Sequence, residues 1–108
     1  EGILIHQDFA DFYLNSYYMF AQGAFYESHE EIGLKLKSVA DELFEEIKVL
    51  HPDLDFRENQ SILYGDMSSY YYRQKKYKEA EKWILLAMST AKNPSVFQGK
   101  YDYMKGRF

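Results

Sequence analysis

Apolar side chains recur every three or four positions along most of the chain, which is the spacing that gives an α-helix one apolar face. The first such stretch carries aromatic residues from Phe9 to Phe20, and the second carries aliphatic residues from Ile32 to Leu50. The sequence lacks the period-two alternation of a half-buried strand. The pattern therefore predicts an all-α chain of about five helices and no strands, at residues 7–26, 28–50, 58–75, 78–92 and 95–105.

A few polar residues and prolines mark the helix boundaries. Ser28 followed by Glu31 has the spacing of a capping box, so Ser28 is the expected N-cap of the second helix. Pro52 ends that helix, because proline has no backbone N–H to donate. The pair Lys75-Lys76 suits the carboxyl end of the third helix, where the helix dipole favours cations.

The third and fourth helices carry a spacing typical of two antiparallel helices in close contact. Ala80 and Ala87 are seven residues apart and so share one face of the fourth helix, where small side chains let a neighbouring helix approach. Tyr71 and Ile84 supply the bulk that fills the rest of the contact. The positions on which this interpretation depends are Tyr64, Met67, Ser68, Tyr71, Ala80, Ile84 and Ala87.

These positions, with Pro94 after them, resemble a tetratricopeptide repeat (TPR) over about a third of the chain. Tyr64 stands for the tryptophan of the repeat's first helix and Ser68 for its glycine, while Ala80 and Ala87 match the alanines of its second helix. The resemblance implies antiparallel helical hairpins stacked as a short α-solenoid, since one hairpin does not bury its apolar surface alone. It also implies a non-enzymatic scaffold that binds a protein or peptide in a groove lined by the first helix of each hairpin.

A weaker form of the second-helix pattern precedes this repeat, at Ala40, Phe44 and Ile47 before Pro52. Its first helix is about a dozen residues further away than a repeat of this type requires, and we expect the extra residues to lengthen both helices. A plain helical hairpin packed on a single repeat is the alternative. Residues 1–108 then form one domain made of a long first hairpin, a best-matching repeat and a covering helix, at 7–50, 58–92 and 95–106.

The open face of the third helix supplies the candidate binding residues. In the groove that the resemblance implies, Gly65 and Ser69 leave room for a peptide backbone, Tyr72 offers an aromatic platform, and Arg73 pairs with an acidic group. The lysine and asparagine clamp that such domains use for chaperone tails is not matched, because Gly65 and Ser69 occupy two of its places. The predicted set is Ile62, Gly65, Asp66, Ser69, Tyr72 and Arg73, with Asn15, Tyr18 and Gln22 from the first helix.

Charge is distributed unevenly along the 108 residues. Residues 1–60 contain 4 Lys/Arg and 13 Asp/Glu, whereas residues 61–108 contain 9 Lys/Arg and 4 Asp/Glu. Three interpretations are open: the halves complement each other across helix contacts, they stack copies of the chain into a self-assembling module, or they give the groove an acidic and a basic wall. Nucleic acid is not an expected partner, because the acidic half repels phosphate.

Candidate catalytic chemistry is sparse. The chain has no cysteine, and His6, His29 and His51 lie on separate predicted elements. We therefore expect no metal site, no cofactor and no enzymatic activity. No apolar run reaches the roughly 20 residues that span a bilayer, so a membrane partner is not expected and a cytoplasmic protein is.

Two alternative roles follow from the apolar residues of the fourth helix and from the start of the sequence. Trp83, Leu85 and Leu86 exceed a single apolar stripe, which suggests a contact between copies of the chain. The first residue is not methionine, which suggests a fragment of a larger repeat-containing regulator, for example one resembling the bacterial peptide-sensing regulators.

Overall fold

The computed structural model describes residues 7–108, with side chains from Phe9 onward. Every regular element in that range is helical, which confirms the predicted all-α stack of helical hairpins. Two antiparallel hairpins are followed by a short fifth helix, which lies between 3₁₀ turns at Pro94–Phe97 and Lys105–Arg107. The α-helices are α1 (Gln7–Tyr26), α2 (Glu30–Leu50), α3 (Arg57–Arg73), α4 (Tyr77–Thr90) and α5 (Gln98–Met104).

Both hairpins turn on the same kind of three-residue connection. Ser28 and Lys75 have left-handed backbone conformations, with φ of 64° and 62°. In each turn the next residue donates its amide to the carbonyl five positions back, at 2.7 Å and 2.9 Å. These bonds are the Schellman ending of a helix, which satisfies the last free carbonyls. Ser28 therefore ends α1, and its predicted role as N-cap is wrong: α2 begins at Glu30 and has no side-chain cap.

The matched turns align the two hairpins with each other. Lys75 follows Ser28 by 47 positions, and the same offset relates α2 to α4. Both helices of the first hairpin are longer than their counterparts in the second, as expected, but by unequal amounts. The helix α1 has 20 residues against 17 in α3, and α2 has 21 against 14 in α4. The offset pairs buried small residues of α2 with buried small residues of α4, namely Gly33 with Ala80 and Ala40 with Ala87. In the weaker sequence pattern Ala40 corresponds to Ala80, whereas in the structure Gly33 corresponds to Ala80.

The contact between α3 and α4 uses the small residues that the sequence identified. Ala80, Ile84 and Ala87 are fully buried. The hydroxyl of Ser68 donates to the carbonyl of Ala80 at 2.7 Å. A serine at this position is therefore small enough for close helix packing and has a partner for its polar group. The prediction that α4 nests against α3 is confirmed.

The segment after α4 covers α4, as predicted, although its helix is shorter than expected. Phe97 joins Ile84 and Ala87 of α4, and Ala91 directly after it, in a buried cluster. Trp83 is half-buried, with its ring 5.5 Å from that of Tyr64. Leu85 and Leu86 are exposed. Of the three residues expected to join copies of the chain, two therefore keep exposed side chains.

Few ion pairs join the acidic half of the chain to the basic half. Most pairs within residues 9–108 link side chains three or four positions apart on one helix. Lys92 crosses between the halves, with its Nζ 3.2 Å from a carboxylate oxygen of Asp55. Charge complementarity within one copy is thus a small part of the helix contacts, and both groups of this pair are partly exposed.

Glu30 connects the first hairpin to the second. Its carboxylate oxygens accept hydrogen bonds from the hydroxyls of Tyr70 and Tyr71, at 3.0 Å and 2.8 Å. Both rings are buried, so each O–H group needs an acceptor inside the protein. Burial, together with the neighbouring carboxylate, raises the pKa of both tyrosines.

We expect Glu30→Gln to lower the free energy of unfolding by about 1.5–3 kcal/mol, the range for hydrogen bonds to a charged group. The amide keeps one acceptor oxygen for the two hydroxyls and turns a donor toward the other. Urea denaturation followed by circular dichroism measures the loss. Glu31→Gln, the same change at the exposed neighbouring position, should stay within about 0.5 kcal/mol of the parent. Equal losses in the two variants would contradict the proposed link.

Candidate functional site

An open cleft lies between α1 and α3, which are the first helices of the two hairpins. Its volume is about 380 Å³. The wall from α1 is mostly apolar, and the contribution from α3 is a carboxylate. The lining residues are Met19, Gln22, Gly23, Tyr26, Glu27 and Asp66.

Asp66 is the less exposed of the two carboxylates in the cleft. Burial raises the pKa of its carboxyl group above the ordinary value, and the positive charges of Lys100 and Arg73 partly offset that rise. Among residues 9–108, no protein group donates a hydrogen bond to this carboxylate. A half-buried carboxylate in a cleft, with its pKa shifted by desolvation, is a candidate binding group for a cation.

The two cations near Asp66 direct their hydrogen-bond donors elsewhere. Nη2 of Arg73 donates to a backbone carbonyl near the end of α1 at 3.3 Å, and the guanidinium lies 6.0 Å from the centre of a tyrosine ring of α3. Nζ of Lys100 donates to the hydroxyl of Ser69 at 2.7 Å and to the carbonyl of Gly65 at 3.3 Å. Arg73, expected to pair with an acidic group on a guest, instead links α3 to α1.

Three residues that were expected to face a guest lie against the last helical segment. A Cβ on Gly65 would lie 2.7 Å from the ring of Phe97. Glycine therefore makes room for an aromatic ring of this chain and not for a guest backbone. Ser69 bonds to α5, as described above, and the ring of Tyr72 lies 5.8 Å from that of Tyr103. At these three positions the next helix in the stack takes this face of α3.

Two of the three residues predicted on α1 hold α1 against α3. Tyr18 is fully buried, and its hydroxyl accepts a hydrogen bond from Nε2 of Gln60 at 3.2 Å. The side-chain oxygen of Asn15 accepts a hydrogen bond from Nδ2 of Asn59. Tyr18 therefore exposes no surface to a guest, and Asn15 is engaged with α3. The cause is the same as on α3, since the following first helix covers this face.

Gln22 and Asp66 are the predicted residues that line the cleft, and Ile62 is exposed on α3. The sequence contains a signal for two cleft residues that were not predicted, Met19 and Tyr26. An offset of 47 residues relates Met19 to Asp66 and Tyr26 to Arg73. The correct alignment of the two hairpins would therefore have added Met19 and Tyr26 to the predicted set. The cleft residues that sequence reasoning missed are Met19, Gly23, Tyr26 and Glu27.

The described part of the chain offers neither a cluster of metal-ligating side chains nor a membrane-spanning helix. Residues 9–108 contain no group of three or more His, Asp or Glu side chains placed to hold a metal ion. None of the five helices is long and apolar enough to cross a membrane. Comparison of the chain with protein-family models, with curated proteins and with solved structures gave no match.

Proposed function

We propose that this chain is a non-enzymatic interaction module of the TPR type, which binds an extended segment of another protein between α1 and α3. The observation that carries the proposal is the half-buried carboxylate of Asp66 in an open cleft. Two further features support the repeat type. The hairpins share one turn geometry and one pattern of small buried residues, and their first helices line the cleft.

The lining of the cleft predicts the chemistry of the guest. Met19 and Tyr26 expose apolar surface, and Glu27 adds a second carboxylate. None of the hydrogen bonds that the nearby Arg73 and Lys100 make goes to Asp66, so its carboxylate oxygens are open to a positive group on the guest. Apolar contact provides affinity and charge provides selectivity. The expected guest is therefore a Lys or Arg flanked by apolar side chains.

A random-peptide display selection on the purified chain tests this proposal whichever protein supplies the guest. We expect the enriched peptides to carry a Lys or Arg next to aromatic or aliphatic residues. Their capture should be competed by the same peptides free in solution. Enrichment of acidic peptides, or no enrichment above an unrelated helical protein, would reject the proposed guest.

We expect Asp66→Asn to weaken binding of the selected basic peptides by about tenfold to a hundredfold, because a hydrogen bond to a charged group is worth about 1.5–3 kcal/mol. Isothermal titration calorimetry measures the change. Asp102→Asn removes the same charge from an exposed position on α5 and should leave the affinity unchanged. A similar loss in both variants would show that net charge, and not the cleft, determines binding.

Acidification provides a second readout of the same carboxylate. Burial raises the pKa of Asp66, so this group takes up a proton at a higher pH than an ordinary aspartate does. The Lys or Arg of the guest keeps its charge throughout this range. Affinity should therefore be full above the raised pKa and should fall as the pH drops through it. In Asp66→Asn the dependence on pH should be smaller.

A further inference from the structure

The two helices of the first hairpin share an apolar face that nothing in residues 9–108 covers. We name it the end face and define it by three residues of α1 and three of α2. Their side chains are between 41% and 63% exposed. The six residues are Phe9, Tyr13, Phe20, Ile32, Val39 and Leu50.

Helix geometry gathers these residues on one side of the hairpin. At about 100° per residue, the three from α1 fall within about 40° of one another, and so do the three from α2. On α1 the opposite side carries Tyr18, which is bonded to α3. On α2 the side facing the second hairpin carries Lys37, whose Nζ lies 5.4 Å from the ring centre of Trp83. The end face therefore points away from the second hairpin.

The opposite end of the stack is closed by the chain itself. Phe97 and Met104 of the last segment are buried there. Its outer side carries the exposed polar or charged residues Gln98, Asp102 and Lys105, besides the exposed Val96 and Tyr103. A polar outer surface is what a terminal element of a helical stack requires in water. Within residues 9–108 the end face has no such covering element, so the two ends of the described stack differ.

The exposed area of the end face approaches that of one side of a protein interface. At about 200 Å² for each large side chain, its six residues expose on the order of 600 Å². That equals the largest apolar patch on a typical monomer, about 300–600 Å². It is also close to the roughly 800 Å² that each partner contributes to a standard interface.

We propose that the end face pairs with the end face of a second copy, with the two α1 helices antiparallel about a two-fold axis. An axis passing between Ser16 and Tyr17 sets Tyr13 of one copy opposite Phe20 of the other, and Phe9 opposite Ala24. Large side chains thus meet small or aromatic ones in a self-complementary face, as a two-fold interface requires. The stripe from α2 extends the contact. This inference does not rest on the proposed function.

Charge is compatible with this antiparallel arrangement. The helix α1 contains no Lys or Arg, and its acidic residues Asp8 and Asp11 lie near its amino end. Antiparallel pairing puts these acidic ends at opposite ends of the contact, whereas a parallel pairing would bring them together. The centre of α1 contributes no charged residue to the contact, as is usual in interface cores. On α2 the exposed Glu46 lies seven positions after Val39 and therefore on the same side of the helix.

Sedimentation velocity over a concentration series tests the proposal on the native chain. We expect a reversible dimer. We expect Phe20→Glu to raise the dimer Kd on the order of a thousandfold, because a two-fold contact loses its central aromatic anchor twice. Val39→Glu on the end face should also weaken the dimer, whereas Val96→Glu, at an exposed position in the last segment, should not. A native chain that stays monomeric, or a Phe20→Glu dimer of unchanged Kd, would overturn the proposal.

Cysteine cross-linking locates the axis independently of the dimer's strength. The chain has no cysteine, so a single introduced thiol reports one position. Ser16→Cys, beside the axis, should form an intermolecular disulfide rapidly under mild oxidation. Ser89→Cys is the matched control, because Ser16 and Ser89 each donate a hydrogen bond to a carbonyl of their own helix. We expect Ser89→Cys to form no such disulfide. Equal rates in the two variants would overturn the assignment of this face.

Discussion

Phe25→Ala is expected to lower the free energy of unfolding by about 3–5 kcal/mol, the range for a buried phenylalanine. The ring is fully buried, and its centre lies 5.6 Å from the ring of Tyr70 and 6.4 Å from that of Tyr71. On its other side is Gly33, which has no side chain that could fill the cavity. Thermal and urea denaturation of the purified variant measure the loss.

The matched control is Phe12→Ala, the same change at a side chain of α1 that is 64% exposed. It should cost no more than about 0.5 kcal/mol. If Phe25→Ala and Phe12→Ala unfold alike, the described packing of Phe25 between α1, α2 and α3 is contradicted.

A double-mutant cycle of Gly33→Ala and Phe25→Ala tests the same packing. The effect of Gly33→Ala on the free energy of unfolding should change sign between the parent and the Phe25→Ala background. A Cβ on Gly33 would lie 2.7–3.0 Å from three ring atoms of Phe25, so Gly33→Ala should destabilise the parent. Phe25→Ala removes the three atoms that lie nearest to the added methyl group. Alanine is favoured over glycine in a helix by about 1 kcal/mol, so there Gly33→Ala should stabilise. The same sign in both backgrounds would contradict the packing.

Gly23→Trp is expected to abolish capture of the selected basic peptides while leaving the fold intact. Gly23 lines the cleft, and a Cβ at this position has no neighbouring atom within 4 Å. Because Gly23 is also exposed, we expect the chain to accommodate an indole ring there, and the ring takes the space that a guest requires. Replacing a glycine within a helix also favours the helix slightly. Peptide titration and thermal denaturation of the same sample separate the two effects.

Gly99→Trp is the control for this variant. Gly99 lies on α5, outside the cleft, and a Cβ there also has no neighbour within 4 Å. It should bind peptide like the parent. Gly65 is unsuitable for such a test, because any side chain there meets the ring of Phe97. If Gly23→Trp binds as well as Gly99→Trp, the guest does not occupy this cleft.

The sequence predicted the helices well because each depends on local spacing. The bounds of α1 were predicted at 7–26, and the small residues of α4 were assigned to the correct contact. The turn at Ser28 was misjudged because serine favours the N-cap position, whereas the left-handed position of a Schellman ending is usually occupied by glycine. Ser28 takes that left-handed conformation against the preference of its residue type. That error concealed the alignment of Ser28 with Lys75.

The binding residues were harder to predict because they depend on which helix lies next to which. The spacing along α3 identified the face beside the packed stripe, and Gly65 on that face is covered by Phe97. Asp66, one residue further along, turns toward α1 and lines the cleft. Neighbouring residues of one helix differ by about 100° in direction, so the position of the next helix decides which of them meets a guest.

An NMR titration of the uniformly ¹⁵N-labelled chain, with a selected peptide that carries one Lys or Arg, shows directly whether a basic guest occupies the cleft. We expect the largest amide shifts at residues 19–27, at the end of α1 and directly after it, and around Asp66 of α3. We expect these shifts to vanish when the cationic residue of the peptide is replaced by glutamate. Shifts concentrated on α4 or α5, or shifts that are indifferent to the charge of the peptide, would contradict binding between α1 and α3.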